Sequence, residues 1–261
     1  MKDVQRASPA RREGPSLPLL VARRALFEVK TVVAKYPGVA LPIARRRHGI
    51  PVGDETEFVI EAFPRSGMTF AVVAFEMAQT RQVQVACHVH APAQVIAAAR
   101  RRIPALVLVR EPEPTILSFV IRHPDVSMRQ ALRGYVRFYA PLLRYRHRFV
   151  VGSFEDVTSD FGIVLREVNE RFGSDFDEFR HTPENVERCF ARISGEYQGR
   201  TATNAELERI VARPSAEREQ LKDVLRERFR EPRLTRGRQR AASVYEAISG
   251  RRASTAHDGP R

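Results

Sequence analysis

The chain has 261 residues, 43% of them hydrophobic and 29% charged, which is apolar material enough for an α/β domain and excludes wholesale disorder. Two cysteines, Cys87 and Cys189, are too few for a disulfide scaffold or a four-cysteine zinc site, and fit a reducing, cytoplasmic setting. The net charge of +13 sits mostly in the flanks, +6 over residues 1–56 and +5 over 196–261 against +2 for 57–195, whereas a nucleic-acid binder carries its basic face within the fold.

Residues 1–16 read as a polar, flexible tail with Pro9, Gly14 and Pro15, and 250–261 as its counterpart; 17–249 reads as a single domain. Leu17–Ala22 is too short and too interrupted by Pro18 for a secretory signal, and no apolar run reaches the ~18–20 residues that span a bilayer. The spacing predicts an amphipathic helix from Leu19 to about Lys35, either packed on the domain or lying on an anionic surface, a membrane contact that is peripheral at most.

Thr56–Phe63 predicts a buried strand ending at Pro64, and Gly67–Ala78 a helix. Gln82–Val89 predicts a second strand and Gln94–Arg102 a helix. Ala105–Val109, wholly apolar, suits a central parallel strand, and Pro112 and Pro114 begin the next helix. Apolar residues recur at helical spacing from Met128 to Leu143. Phe149–Phe154 predicts a further strand, Phe161–Phe172 a helix closed by Gly173, and Leu221–Phe229 and Ala241–Ile248 late helices. Strands alternating with helices imply an α/β fold, a parallel sheet flanked by helices on both faces, with ligand-binding loops along the strands' carboxyl edge.

Two of those loops carry anion-binding chemistry. In Pro64-Arg65-Ser66-Gly67-Met68-Thr69 a strand gives way to a helix, whose first N–H groups suit an anion, with Arg65, Ser66 and Thr69 as side-chain donors. It has no G-x-x-x-x-G-K-[ST] pattern, so it is not a Walker A loop; a proline-serine-glycine stretch is also an ordinary turn. In the second loop Arg110 ends the apolar strand and Ser118 follows within the next helix, so guanidinium and hydroxyl can converge on one phosphate. Pairing of Arg110 with Glu111 or Glu113 is the plain alternative.

These loops resemble the 5′-phosphosulfate loop and the 3′-phosphate motif of sulfotransferases that use 3′-phosphoadenosine 5′-phosphosulfate (PAPS). The first family motif reads roughly Pro-Lys/Arg-Ser-Gly-Thr-Thr-Trp, against Pro64 to Phe70, with Met68 and Phe70 as departures. The second has an arginine, a proline and a serine spaced as Arg110, Pro112 and Ser118. A third hallmark, aromatic-Glu-Asp-aliphatic, appears as Phe154-Glu155-Asp156-Val157. The three stand in the family's order over residues 58–172. The resemblance implies a P-loop-like sulfotransferase architecture, with Arg65, Ser66, Gly67, Met68 and Thr69 around the 5′-phosphosulfate and Arg110 and Ser118 on the 3′-phosphate. It also implies no metal, and a hydroxyl acceptor that is a carbohydrate, a glycolipid or a small molecule. The family's carboxy-terminal glycine-rich nucleotide loop has no counterpart here; Arg213 is a weaker substitute.

His88-Val89-His90-Ala91-Pro92 resembles the family's Thr-His-Leu-Pro stretch, which gives His90 the role of catalytic base. Set on a strand, His88 and His90 would share a face, but zinc needs a third protein ligand and none is evident. A histidine satisfied at a strand end is the other reading of His90; His88 and Glu61 rank below it as bases. His123, His147 and His181 read as surface or packing residues. A P-loop kinase or NTPase would need a Lys-Ser/Thr in the first loop, which is absent. A non-enzymatic nucleic-acid or anionic-surface binder would need the charge that the central segment lacks.

Overall fold

The computed structural model describes residues 16–46, 49–198 and 216–251. Residues 1–15, 252–261 and Arg213 lie outside these.

In chain order the elements are helices α1 (Leu17–Val33) and α2 (Pro37–Ala44), then strand β1 (Phe58–Ala62), α3 (Met68–Ala78), β2 (Val85–Cys87) and α4 (Pro92–Arg101). There follow β3 (Ala105–Val109), α5 (Pro112–Arg122), α6 (Met128–Tyr139), a 3-10 segment (Ala140–Arg148), β4 (Val150–Ser153), α7 (Phe154–Ser159) and α8 (Phe161–Phe172). Helices α9 (Pro183–Gln198), α10 (Ala216–Arg230) and α11 (Thr235–Ser249) complete the described chain.

The strands form a parallel sheet in the order β2-β1-β3-β4. Alternation along β1 and β3 divides the interior. Val59, Ala105, Val107 and Val109 face a cluster built from α4, α5, α6 and α11. Phe58, Ile60, Ala62, Leu106 and Leu108 face a second cluster built from α3, α8 and α9. Both faces are therefore covered, and the central strands are buried throughout, as a parallel α/β sheet requires.

Local chemistry sets the boundaries. Pro112 opens α5, where a missing N–H costs nothing. Ser127 and Gln130 form a reciprocal capping box on α6. The helical pattern expected to continue to Leu143 tightens into the 3-10 segment at Ala140, where Pro141 cannot donate to the ladder. Ser153 accepts from the Asp156 N–H at 3.0 Å and starts α7, so Phe154 is the first residue of a helix instead of the last of a strand. Asp160 caps α8, and left-handed Gly173 ends it.

The second strand is shorter than the Gln82–Val89 stretch suggested, and the idea that His88 and His90 share a strand face is corrected. Beyond Cys87 the chain turns through left-handed His88 (φ 60°) and His90 (φ 53°). The Val89 and His90 N–H groups leave the ladder and donate to the Glu61 carboxylate, at 3.2 and 3.1 Å. A buried carboxyl group thus replaces strand pairing.

Because β1 leads into α3 on one face and β3 into α5 on the other, their carboxyl ends form a switch point with diverging loops. Open α/β sheets bind ligands at such a point.

Candidate active site

The loop after β1 rises through left-handed Arg65 (φ 75°) and Gly67 (φ 89°). A Cβ on Gly67 would come 3.1 Å from the Phe154 ring, so glycine meets both a backbone and a packing demand here. The first N–H groups of α3, at Met68 and Thr69, point into this loop with no intrahelical acceptor.

Tyr139 holds the loop from beneath. Its hydroxyl donates to the Leu108 carbonyl (2.8 Å) and accepts from the Phe63 N–H (3.3 Å). That leaves the Ser66 hydroxyl, fully buried at 3.4 Å, to donate to Tyr139. Ser66 was expected to offer its hydroxyl to a bound anion; here that hydroxyl turns inward to Tyr139. Met68 likewise sinks its side chain into the core against α9.

The two sequence-defined loops meet. Arg65 Nε donates to Ser118 Oγ at 2.9 Å, and an Arg110 terminal nitrogen donates to the Arg65 carbonyl at 3.3 Å. The Arg110 guanidinium stacks 3.7 Å above the centre of the Phe154 ring. Phe154 therefore lies against both Gly67 and Arg110, which joins the third motif to the first two. Glu113 is engaged by Arg226, at 3.0 Å, instead of by Arg110. Arg110 Nε is buried and, among the described residues, has no hydrogen-bond partner. A buried donor without an acceptor costs on the order of 1–3 kcal/mol, which an anion seated between the loops would recover. Burial holds the Arg110 pKa below its ordinary value, an effect that the fields of Glu155, Glu219 and Glu111 oppose.

His90 lies on the other side of Pro64. Its Nδ1 is 3.0 Å from the Ala62 carbonyl, and a carbonyl only accepts, so the ring proton sits on Nδ1 and the Nε2 lone pair is left to take a proton. Burial lowers its pKa below the usual 6.5, so the ring is neutral at pH 7. Glu61 is fully buried under the turn, and its oxygens accept from the Ala62, Val89 and His90 N–H groups. Burial outweighs these bonds and raises its pKa to about 8. With both oxygens committed to backbone, Glu61 is built to orient His90. His88 is pushed down to about 4 by burial and by His90.

Pro64 and His90 wall a cavity of about 390 Å³ whose other sides are Phe27 and Val33 of α1, Ala40 and Ile43 of α2, and Phe138 of α6. His123, read from sequence as a surface or packing residue, lines the same cavity, its ring stacked 4.6 Å from Phe119. Burial first, then Arg122 and Arg65, lower its pKa to about 4. Among the described residues, no cluster of three or more histidine, cysteine or acidic side chains is placed to hold a metal ion.

Sequence reasoning assigned Tyr139 to the core stripe of α6 and gave Phe154 no contact. The available signal was Tyr135 and Tyr139 four residues apart on that stripe, since buried phenols need partners. Tyr135 donates to the Arg110 carbonyl at 2.7 Å.

No protein-family model and no curated protein matches this chain. Among solved structures, mouse sulfotransferase SULT7A1 complexed with PAP overlaps 80% of this chain and 94% of its own, with a TM-score of 0.42 and 11% sequence identity. Resemblance at that level transfers neither residues nor activity.

Proposed function

We propose that the chain is a sulfotransferase that moves a sulfuryl group from PAPS to a hydroxyl acceptor. The observation that carries this reading is the convergence of Arg65, Ser118 and Arg110, with the orphaned Arg110 Nε, at the switch point between β1 and β3. Bound there, the 5′-phosphosulfate lies over the first turn of α3, against the Gly67, Met68 and Thr69 backbone, and Arg65 offsets charge that grows on the bridging oxygen. Arg110 and Ser118 take the 3′-phosphate. His90, neutral and with Nε2 available, accepts the proton of the acceptor hydroxyl. In such a reaction positioning of donor, acceptor and base supplies most of the rate.

The cavity beside His90 holds the acceptor, a carbohydrate, glycolipid or small molecule; its apolar walls favour a molecule with an apolar body.

Isothermal titration with 3′-phosphoadenosine 5′-phosphate, its 2′-phosphate isomer and ADP tests the donor assignment. Preference for the 3′ isomer supports it. Equal binding of all three sinks it, and preference for ADP points to a kinase or NTPase.

A further inference from the structure

Helix α1 is mounted through a mixed face that includes most of its hydrogen-bonding side chains and Phe27, which packs on Phe119. At 100° per residue, Leu20, Arg24, Phe27, Glu28 and Thr31 share the side that meets α6. Arg24 Nε donates to the Asp125 carbonyl (3.0 Å), Gln130 donates to the Arg24 carbonyl (3.1 Å), and Glu28 pairs with both Arg133 and Arg137. Arg23 adds an ion pair to Asp125 at 2.6 Å. The opposite side, Leu19, Val21, Ala22, Leu26, Val29 and Val32, is apolar and faces outward; Val21, Leu26 and Val29 are each more than half exposed. Val39 and Ile43 of α2 are exposed too, and Ile43 also lines the cavity at His90.

We propose that α1 and α2 form a docking face for an anionic lipid bilayer. Contiguous apolar surface of this kind marks an interaction site. Charge selects the partner. Residues 17–46 carry six cations against the single acid Glu28, which two arginines already hold; with Arg24 turned inward and Arg23 paired with Asp125, Lys30, Lys35, Arg45 and Arg46 supply the positive border. An apolar stripe bordered by cations is the pattern of a helix lying in a lipid interface. No described helix is long and apolar enough to cross a membrane, which leaves α1 lying along it. The cavity mouth then opens toward lipid. The docking face stands whether or not the chain transfers sulfate.

The test is co-sedimentation of the full chain with vesicles of equal parts phosphatidylcholine and phosphatidylglycerol, or of phosphatidylcholine alone. The parent is expected to bind the anionic vesicles, more weakly as salt rises. The double variant Leu26→Glu, Val29→Glu is expected to bind at least ~10-fold more weakly, with unchanged circular dichroism and melting, because both side chains already face solvent. Equal binding by variant and parent overturns the proposal, as does equal binding to phosphatidylcholine alone. A parent that ignores vesicles and forms a dimer that the variant dissociates also overturns it, and would make the face an interface between copies.

Discussion

Arg110 combines a buried, unpartnered Nε with a stacked guanidinium. Replacing it with alanine removes a charge-assisted contact worth about 1.5–3 kcal/mol, so binding of 3′-phosphoadenosine 5′-phosphate should weaken ~10- to 100-fold while ADP binding barely changes. Calorimetry on both nucleotides checks this, and an equal loss for ADP would make Arg110 structural. His90 predicts a pH signature. Its pKa lies below 6.5, so transfer should lose rate only in acid, below that value, and His90→Ala should abolish this limb without changing donor affinity. A rate profile across about pH 5–9 decides it. Glu61 makes a separate prediction about stability. Its folded pKa of about 8 exceeds the ordinary 4.5, so between those values the folded chain binds the extra proton. Stability should therefore fall as pH rises through that window and level off above it, by at most ~1.4 kcal/mol per pH unit. In Glu61→Gln, urea midpoints should lose that slope; a slope that persists would assign it to another group.

Among the elements, the turn into α3 is the most constrained. Gly67 needs φ +89° and has a ring 3.1 Å from where a Cβ would stand. Gly67→Ala should cost about 1–3 kcal/mol, measured as a lower denaturation midpoint, and should weaken nucleotide binding because Phe154 must move from under Arg110. A neutral Gly67→Ala would mean that the turn adapts and that the contact between the first and third motifs is not needed. The turn at His88–His90 is held differently. No glycine relieves its left-handed residues, and a carboxylate from a central strand fixes it.

Over the whole molecule, β1 and β3 supply alternate residues to both interior clusters, so neither face can lose its packing while the other keeps its own. The chain has no tryptophan, and Tyr135, Tyr139 and Tyr245 all lie in the cluster of α4, α5, α6 and α11. With three of the six tyrosines buried there, tyrosine fluorescence is weighted toward this face, whereas far-ultraviolet circular dichroism reports all the helices. The two should give coincident urea transitions. Separate midpoints would show that the faces unfold independently. At the carboxyl end, Arg251 pairs with Asp156 and bonds Ser153 at 2.9 Å, so the chain just beyond α11 is tied to the start of α7.

The amino-acid sequence by itself determined the four strands and the helices between them in their order, but not α2, α7 or α9. The apolar run at Ala105–Val109 and the glycine after Phe172 mark their boundaries through local chemistry alone. It also marked Arg65, Arg110 and Ser118, because strand-to-helix spacing puts such residues at one sheet edge. Only the tertiary structure decided what these residues meet. The inward turn of Ser66 depends on Tyr139, 73 positions away, and the stacking of Arg110 on Phe154 joins loops from different strands. The His88–His90 turn required a carboxylate from β1, a long-range bond that no local pattern encodes. In α1, periodicity revealed two faces. Hydropathy left open whether the apolar one packs on the domain or stays exposed; the tertiary structure decided it, because pairing Glu28 with Arg133 and Arg137 and bonding Arg24 to the Asp125 carbonyl turns these polar side chains toward α6.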